Sequence, residues 1–323
     1  MSVQPNGGKD DIEEIPPPQK PPSPPPHTTF SARGVHPPTF SAFKPRDYRI
    51  TSTQAMNHVA WNCDGKKLAA VGIDKITRVW TPEKSLYIQM EPRSATMFSG
   101  GHSDDVDYVS WNPTHPDLFY GRWLIWASTQ HQMYTLTFGK VGEETKEQWR
   151  LSDKDPVTGT TAIFNHSGTG LVLTHISENG FRVLDFPDFE VRDHPAAHVG
   201  GCSAVSLDPR GRYLATGGHD SIVNLFDLHD WICVRTITSC DHSINALSFS
   251  FDGEYIAIAS GGNYIDICAT ETGIPLHRVT SLVSASTVGW HPSKHLFAYC
   301  GQTNAREGGP PAMAVVSLFG LVE

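Results

Sequence analysis

Histidine and carboxylate side chains that could support catalysis or bind a ligand occur in two short clusters of this sequence. The first is Gly218-His219-Asp220, inside the stretch YLATGGHDSIVNLFDLHDW. A histidine beside an aspartate could act as a general base with its orienting carboxylate. The second is HSDDVD, which contains His102, Asp104, Asp105 and Asp107 and could hold a cation or a basic peptide. The alternative for both clusters is a turn or a solvated acidic loop.

Motifs of known catalytic and ligand-binding sites are absent from the sequence. It has no G-x-x-x-x-G-K-[ST] phosphate loop, no H-E-x-x-H pair and no G-x-S-x-G elbow. The cysteines are scattered without a C-x-x-C pair, which indicates free thiols in a reducing compartment and neither a disulfide framework nor a zinc site. We therefore predict no cofactor, no metal and no enzymatic activity.

A repeated segment is the framework that must position these side chains. Each copy has an apolar anchor, a polar turn with Gly or Pro, and a short apolar run. The copies begin VAWNCDGKKLAA at residue 59, VSWNPTHPDLF at 109, AIFNHSGTGLVL at 162, VSLDPRGRYLAT at 205, LSFSFDGEYIAI at 247 and VGWHPSKHLFAY at 288. Period-2 alternation in SIVNLFD and KITRVW indicates strands. Repeats of four short strands, spaced by roughly 40 to 50 residues, are typical of β-propeller blades.

Polar residues keep fixed spacings inside the repeat. An aspartate stands six residues before an aromatic residue in two copies, and a histidine stands nine residues before the anchor in two copies. This pattern resembles the WD40 repeat, whose Asp, His, Ser/Thr and Trp form a buried hydrogen-bonded set. We interpret the following residues as structural blade positions: Asp74, Trp80, His102, Trp111, His198, Asp220 and Phe226. Gly218-His219-Asp220 is then a strand-connecting turn, and its aspartate is structural.

These spacings predict an all-β, WD40-type β-propeller, nominally seven-bladed, with one eroded or truncated blade around residues 122–160. That stretch carries three tryptophans and no recognisable repeat. Trp123 and Trp126 are either part of an exposed patch that binds a partner or displaced core residues. The segment TFSAFKPRDYRITS, residues 39–52, is predicted to supply an outer strand that closes the ring against the last blade, because an open ring exposes two sheet edges.

The composition divides the chain into a tail, residues 1–45, and a propeller domain, residues 46–323. The tail begins with acidic residues and continues as PPPQKPPSPPP, for which we expect extended polyproline II without a packed core. It is either a disordered, solvated tail or a ligand for an SH3- or WW-type domain.

The overall charge and hydropathy restrict the partners. A formal net charge of -9 argues against broad electrostatic binding of nucleic acid. No apolar run reaches the ~18 residues that a membrane span needs, so we expect no membrane partner. The chain is expected to be soluble and intracellular.

Several segments resemble the successive blades of one family, the WD40-repeat subunits of the THO complex. The more particular ones are DLHDWICVRTI, YIDICATETG and the C-terminal SLFGL. The family is part of the TREX assembly, which couples transcription to mRNA export. The resemblance implies a nuclear, non-enzymatic scaffold bound to large helical THO subunits, which would reach RNA and a DEAD-box RNA helicase indirectly. The family's intact third blade has no clear counterpart between residues 122 and 160.

An alternative class is the WD40 substrate receptor or adaptor of a ubiquitin ligase, or of another multiprotein complex. Such receptors often carry Trp-Asp-x-Arg at a strand end. The equivalent positions here read VWTPE and LFDLH, with no arginine in place. The sequence therefore favours the THO-like scaffold.

Overall fold

The computed structural model describes residues 38–50, 54–80, 95–99, 105–109, 111, 123–127, 132–140, 147–151, 157–303 and 311–320. These residues form β-strands and one short 3₁₀ turn, Phe40–Ala42. Within these ranges, no helix is long and apolar enough to cross a membrane.

The strands follow one another with short connections. In chain order they are β1 (Arg46–Arg49), β2 (Met56–Trp61), β3 (Leu68–Gly72), β4 (Thr77–Trp80), β5 (Thr96–Phe98), β6 (Trp123–Ala127), β7 (Gln132–Lys140), β8 (Glu147–Leu151), β9 (Val157–Thr158), β10 (Thr161–Phe164), β11 (Gly170–Thr174), β12 (Phe181–Asp185), β13 (Val191–Asp193), β14 (Cys202–Leu207), β15 (Tyr213–Gly218), β16 (Val223–Asp227), β17 (Cys233–Ile237), β18 (Ile244–Phe249), β19 (Tyr255–Ser260), β20 (Tyr264–Ala269), β21 (Pro275–Thr280), β22 (Ala285–Trp290), β23 (Leu296–Gln302) and β24 (Ala314–Gly320).

Five antiparallel four-stranded sheets form the blades of a β-propeller. We call them blade A (β2–β5), blade B (β10–β13), blade C (β14–β17), blade D (β18–β21) and blade E (β22–β24 with β1). The first strand of each blade is the inner strand. The strand next to it is buried along its whole length in blades A to D, and at every residue except Gln302 in blade E, because it packs between neighbouring blades. The predicted all-β propeller is therefore confirmed.

The expected number of seven blades is wrong for the part of the chain that the structure describes. Besides the five blades there is one three-stranded sheet, β6–β8, in the stretch predicted to hold an eroded blade. Strand β9 does not add a further row, because it pairs with residues 132 and 133 of the long strand β7, beyond the residues that pair with β8. In this stretch one long strand, β7, pairs with β6, β8 and β9.

The ring is closed by an N-terminal strand. Strand β1 pairs antiparallel with β24, with Arg46 opposite Leu318 and Arg49 opposite Val315. The closing strand expected within residues 39–52 is thus confirmed. The compact unit begins at Pro37, and Phe40 and Phe43 are buried in it. These two aromatic side chains precede residue 45, and the boundary between tail and propeller stays a prediction.

A relay of side chains connects the inner strands of neighbouring blades. In β2, β14, β18 and β22, the register with the next strand shifts at the second residue, as in a β-bulge. The side chain of that residue donates a hydrogen bond to a main-chain carbonyl of the neighbouring inner segment. The bonds are Ser203 Oγ to Ile244 O (2.7 Å), Asn245 Nδ2 to Ala285 O (2.9 Å), Ser286 Oγ to Met56 O (3.0 Å) and Asn57 Nδ2 to Val106 O (3.3 Å). We call this set the inner relay. It places residues 105–109 beside β2 as a further inner segment.

Candidate protein-interaction surface

A buried hydrogen-bonded group lies beneath the loops that precede β14. The Nδ1 atom of His198 lies 3.1 Å from Oδ1 of Asp220, and its Nε2 atom lies 2.9 Å from Oγ1 of Thr216. The same aspartate accepts hydrogen bonds from the amides of Val199 (3.0 Å) and Ile222 (3.2 Å). The aspartate therefore joins the loop before β14 to the turn between β15 and β16.

Thr216, His198 and Asp220 have the connectivity of a nucleophile, a base and an orienting carboxylate. A substrate has no access to them, because Thr216 is fully buried and no part of the His198 side chain is exposed. Burial lowers the pKa of His198, although the neighbouring carboxylate of Asp220 opposes that shift. The arrangement fits a structural function better than proton transfer to a ligand.

The other blade positions predicted from the sequence have different surroundings. Asp74 accepts two hydrogen bonds from the buried guanidinium of Arg78, at 3.1 and 2.6 Å. Its side-chain partner is thus an arginine, whereas the partner of Asp220 is a histidine. Trp80 and Phe226 are buried at equivalent positions of their blades. Trp111 is buried and donates its Nε1–H to the carbonyl of Ala60 at 3.0 Å. His102 lies outside the described residues.

The candidate partner-binding residues fall into two groups. Asp105 and Asp107 are exposed on the inner segment beside β2, and Asp107 accepts a 2.8 Å hydrogen bond from Asn57. Asp104 lies outside the described residues. Trp123 and Trp126 lie in β6, for which the structure describes the backbone alone. The structure therefore brings Asp107 to the inner relay and leaves the two tryptophans as a prediction.

An ionic network that the sequence analysis missed joins blades C and D at the end of the propeller opposite the His198 group. The guanidinium of Arg210 bonds to the carboxylate of Glu254 and the carbonyl of Gly253, and that of Arg212 bonds to the carboxylates of Asp208 and Glu271. Desolvation raises the pKa of Asp208 to about 6 against the opposing effect of Arg212. In the sequence, this network corresponds to DPRGR in one repeat and DGE in the equivalent turn of the next repeat.

Metal binding finds no support in the described ranges, and four of the cysteines there are buried. No group of three or more His, Cys, Asp or Glu side chains there could hold a metal ion. Burial raises the pKa of the thiols of Cys202, Cys240, Cys268 and Cys300 to about 12, which keeps them protonated and unreactive near neutral pH.

Comparison with known proteins shows which repeat family the sequences of these blades match. The WD domain, G-beta repeat family model matches residues 48–81, 191–227 and 231–265. These ranges cover most of blade A, blade C with the strand before it, and the start of blade D, where the repeat pattern is most regular. The chain therefore contains segments that match WD40 repeats at these three places.

Among curated relatives, this chain is similar to "THO complex subunit 3" of Arabidopsis thaliana. The two are 27% identical over 297 residues, which cover 81% of this chain and 91% of the relative. It is also 25% identical over 319 residues to "WD repeat-containing protein AAC3" of Dictyostelium discoideum, covering 84% of this chain and 66% of that protein. The solved β-propeller domain of Myceliophteria thermophila Cps50 (Swd1) superposes with a TM-score of 0.61 at 16% identity, covering 85% of this chain and all of that one, which supports the fold alone.

Proposed function

We propose that this protein is a non-enzymatic scaffold subunit of a THO-type complex in the nucleus, which couples transcription to mRNA processing and export. The observation that carries the proposal is the similarity to a THO complex subunit along nearly the full length of that relative. The structure supports a scaffold, because the side chains of His198 and Thr216, which are joined to Asp220 by hydrogen bonds, are buried.

The partners proposed are the other THO/TREX subunits, above all the large helical ones. RNA and the DEAD-box RNA helicase would be reached through them, and no membrane or cofactor is involved. The blade positions would act by holding the loops in place. Asp104, Asp105, Asp107, Trp123 and Trp126 remain the proposed partner-binding residues.

Affinity purification of the tagged full chain from nuclear extract, followed by mass spectrometry, tests this function. We expect the large THO subunits to be recovered in stoichiometric amounts. Recovery of a cullin with its adaptor, and no THO subunit, would replace the proposal by a ubiquitin-ligase receptor. Recovery of no stable partner would remove the scaffold function altogether.

Direct binding of RNA is tested separately with the purified chain and a labelled single-stranded RNA. A chain of net charge -9 should bind weakly at physiological salt. A tight complex that weakens steeply with added salt would contradict the indirect route to RNA.

A further inference from the structure

The outer strand of blade C presents a sheet edge without the usual protection against pairing. Strand β17 is the last strand in the order of its sheet, and among the described strands it pairs with β16 alone. An unpaired edge offers main-chain N–H and C=O groups to another chain, and proteins usually guard it with charges, proline or short length. At this edge Ile232, Cys233, Val234 and Thr236 are exposed, and none of them is charged or a proline. We call residues 232–236 the β17 edge.

The outer strands of the other four blades are guarded. Strands β5 and β13 have three residues each, and β13 carries an exposed arginine and an exposed aspartate. Strand β21 begins with a proline, and β1 has charged side chains at three of its four positions. The β17 edge has β-branched residues at three of its five positions and one charge, on Arg235. Of the five outer strands, β17 is therefore the one best suited to accept an added strand.

The guanidinium of Arg235 lacks a counter-charge. Its Nε atom is buried without a hydrogen-bond partner, and the part of the chain that the structure describes supplies no carboxylate to pair with it. In the next outer strand, by contrast, nitrogens of the Arg278 guanidinium lie 2.7 and 2.8 Å from the carboxylate of Asp266. A partly buried guanidinium without an acceptor has lost hydration and gained nothing in exchange, so a carboxylate brought to it forms a strong, charge-assisted hydrogen bond. Arg235 thus favours an acidic partner.

The neighbouring blade holds Arg235 in position. The turn before β21 packs against its aliphatic stem, since a Cβ atom at Gly273 would lie 3.2 Å from Cγ and 3.4 Å from Cδ of Arg235. Its backbone is fixed by pairing with Leu225 of β16. A side chain restrained in this way loses little entropy when it binds. The β17 edge therefore combines an open strand edge with a positioned cation.

We propose that the β17 edge binds an extended segment of a partner protein as a fifth strand of blade C, with an Asp or Glu side chain of that segment paired with Arg235. Opposite charges on directly facing residues stabilise a strand pair. Main-chain hydrogen bonds would supply the affinity, and the carboxylate would select the partner. The inference rests on the proposed scaffold function and names the surface and the kind of segment through which a subunit would be held.

The test uses the full chain and a fluorescein-labelled probe peptide, Thr-Val-Thr-Glu-Val-Thr-Val. Fluorescence anisotropy should show binding with a Kd on the order of 100 µM. Arg235→Glu should weaken binding about tenfold or more, because the carboxylate of the probe then meets a like charge. The matched control is Arg192→Glu, at an arginine of the outer strand β13 whose side chain is 69% exposed, and it should leave binding unchanged.

Two changes to the probe distinguish strand addition from charge attraction alone. A probe with Lys in place of Glu should lose binding to the unaltered chain and regain it with the Arg235→Glu variant. N-methylation of alternate amides should abolish binding in one of the two possible patterns and preserve it in the other, because only one edge of an added strand bonds to the sheet. On binding of the Glu probe, hydrogen exchange should slow in β17 and stay unchanged in β13 and β21.

A second variant keeps the result independent of Arg235. Val234→Lys should also weaken binding of the Glu probe, because a lysine on an edge strand opposes the addition of another strand. The inference is overturned if the Glu probe shows no binding up to ~1 mM, if Arg192→Glu weakens binding as much as Arg235→Glu, or if both methylation patterns bind equally. Association of the chain with itself that disappears in the Val234→Lys variant would assign the β17 edge to a second copy and also overturn it.

These results are separable from the fate of the proposed function. Recovery of THO subunits by the unaltered chain, with equal recovery by the Arg235→Glu and Val234→Lys variants, would leave the scaffold function standing and reject the β17 edge as its docking site. Specific binding of the Glu probe without recovery of THO subunits would support the surface and reject the THO assignment.

Discussion

Asp220 is the residue on which most local interactions around the loop before β14 depend. It accepts hydrogen bonds from two amides and lies within hydrogen-bonding distance of one imidazole nitrogen. Asp220→Ala should lower the free energy of unfolding by about 2–4 kcal/mol, because the buried imidazole of His198 and the amides of Val199 and Ile222 lose their shared partner at once. Chemical denaturation measures the change. Asp193→Ala, at an exposed site, should change it by no more than about 0.5 kcal/mol, and an equal effect of both variants would contradict this role.

His58 should make the stability of the protein depend on pH. Its ring lies 4.2 Å from the ring of Tyr108, its Nδ1 atom is buried without a hydrogen-bond partner, and burial lowers its pKa to about 4. In the unfolded chain the imidazole titrates near 6.5. The unfolded state therefore gains a proton as the pH falls below about 6.5 while the folded state does not, and stability is lost in that window.

The measurement is the free energy of unfolding at several pH values between 7 and 4.5. His58→Leu should reduce the slope by up to about 1.4 kcal/mol per pH unit, the limit for a single group. The buried His198 and His291, whose pKa values are also lowered by burial, should account for part of the remaining slope. Identical slopes for the two proteins would exclude His58 as a contributor.

Among the structural elements, the 3₁₀ turn Phe40–Ala42 precedes the outer strand of blade E, where blade D has the turn that contains Gly273. In blade D, Gly273 lies in the turn before the outer strand and packs beside Arg235 and Ile237 of the preceding blade. Blade E has no such turn, because its outer strand β1 comes from the opposite end of the chain. Phe40 instead stacks on His277 of the preceding blade and Phe43 contacts Phe319 of blade E.

Truncation of the N-terminus tests the role of this turn. Deleting residues 1–36 should leave the thermal stability nearly unchanged, because the compact unit begins at Pro37. Phe40→Ala in the full chain should destabilise the fold by about 3–5 kcal/mol, since a buried aromatic ring is lost from contacts with Tyr255 and His277. A larger effect of the deletion than of the substitution would reverse this assignment.

The elements that follow from local pattern could be predicted, and those that depend on distant partners could not. The turn containing Asp220 and the closing strand near residues 46–49 were visible because spacing and alternation are local properties. Phe40 was missed because its pocket is formed by residues more than 200 positions away. The pairing of Asp74 with Arg78 was missed because the repeat pattern indicates the position of the aspartate and not the side chain that it contacts.

For the whole molecule, closure by β1 should determine whether the propeller unfolds as one unit. Repeat proteins are stabilised largely by contacts between neighbours. Removing residues 1–49 deletes β1 and leaves β24 as an unpaired edge, so blade E should open before blades C and D. Hydrogen exchange should show loss of protection in β22–β24 first, whereas a variant lacking residues 1–36 should retain it. Uniform loss across all blades would contradict this order.

The number of sheets is the global property that the sequence did not determine. The period of the sequence repeat gives the distance between successive copies. A segment without a recognisable copy, such as residues 122–160, therefore does not indicate how its strands pair. The register of the long strand β7 with β6, β8 and β9 decides that question.

The pairing of β1 with β24 also has a consequence for biosynthesis. The ribosome makes β1 long before β24, because Arg49 and Ala314 are 265 positions apart in the chain. At 5–20 residues per second, the early strand waits on the order of 10–50 s for its partner. During that interval the nascent chain carries an unsatisfied strand edge, which is a target for molecular chaperones. Premature termination at any codon before β24 would leave that edge permanently unpaired, so quality control should recognise shortened products of this gene efficiently.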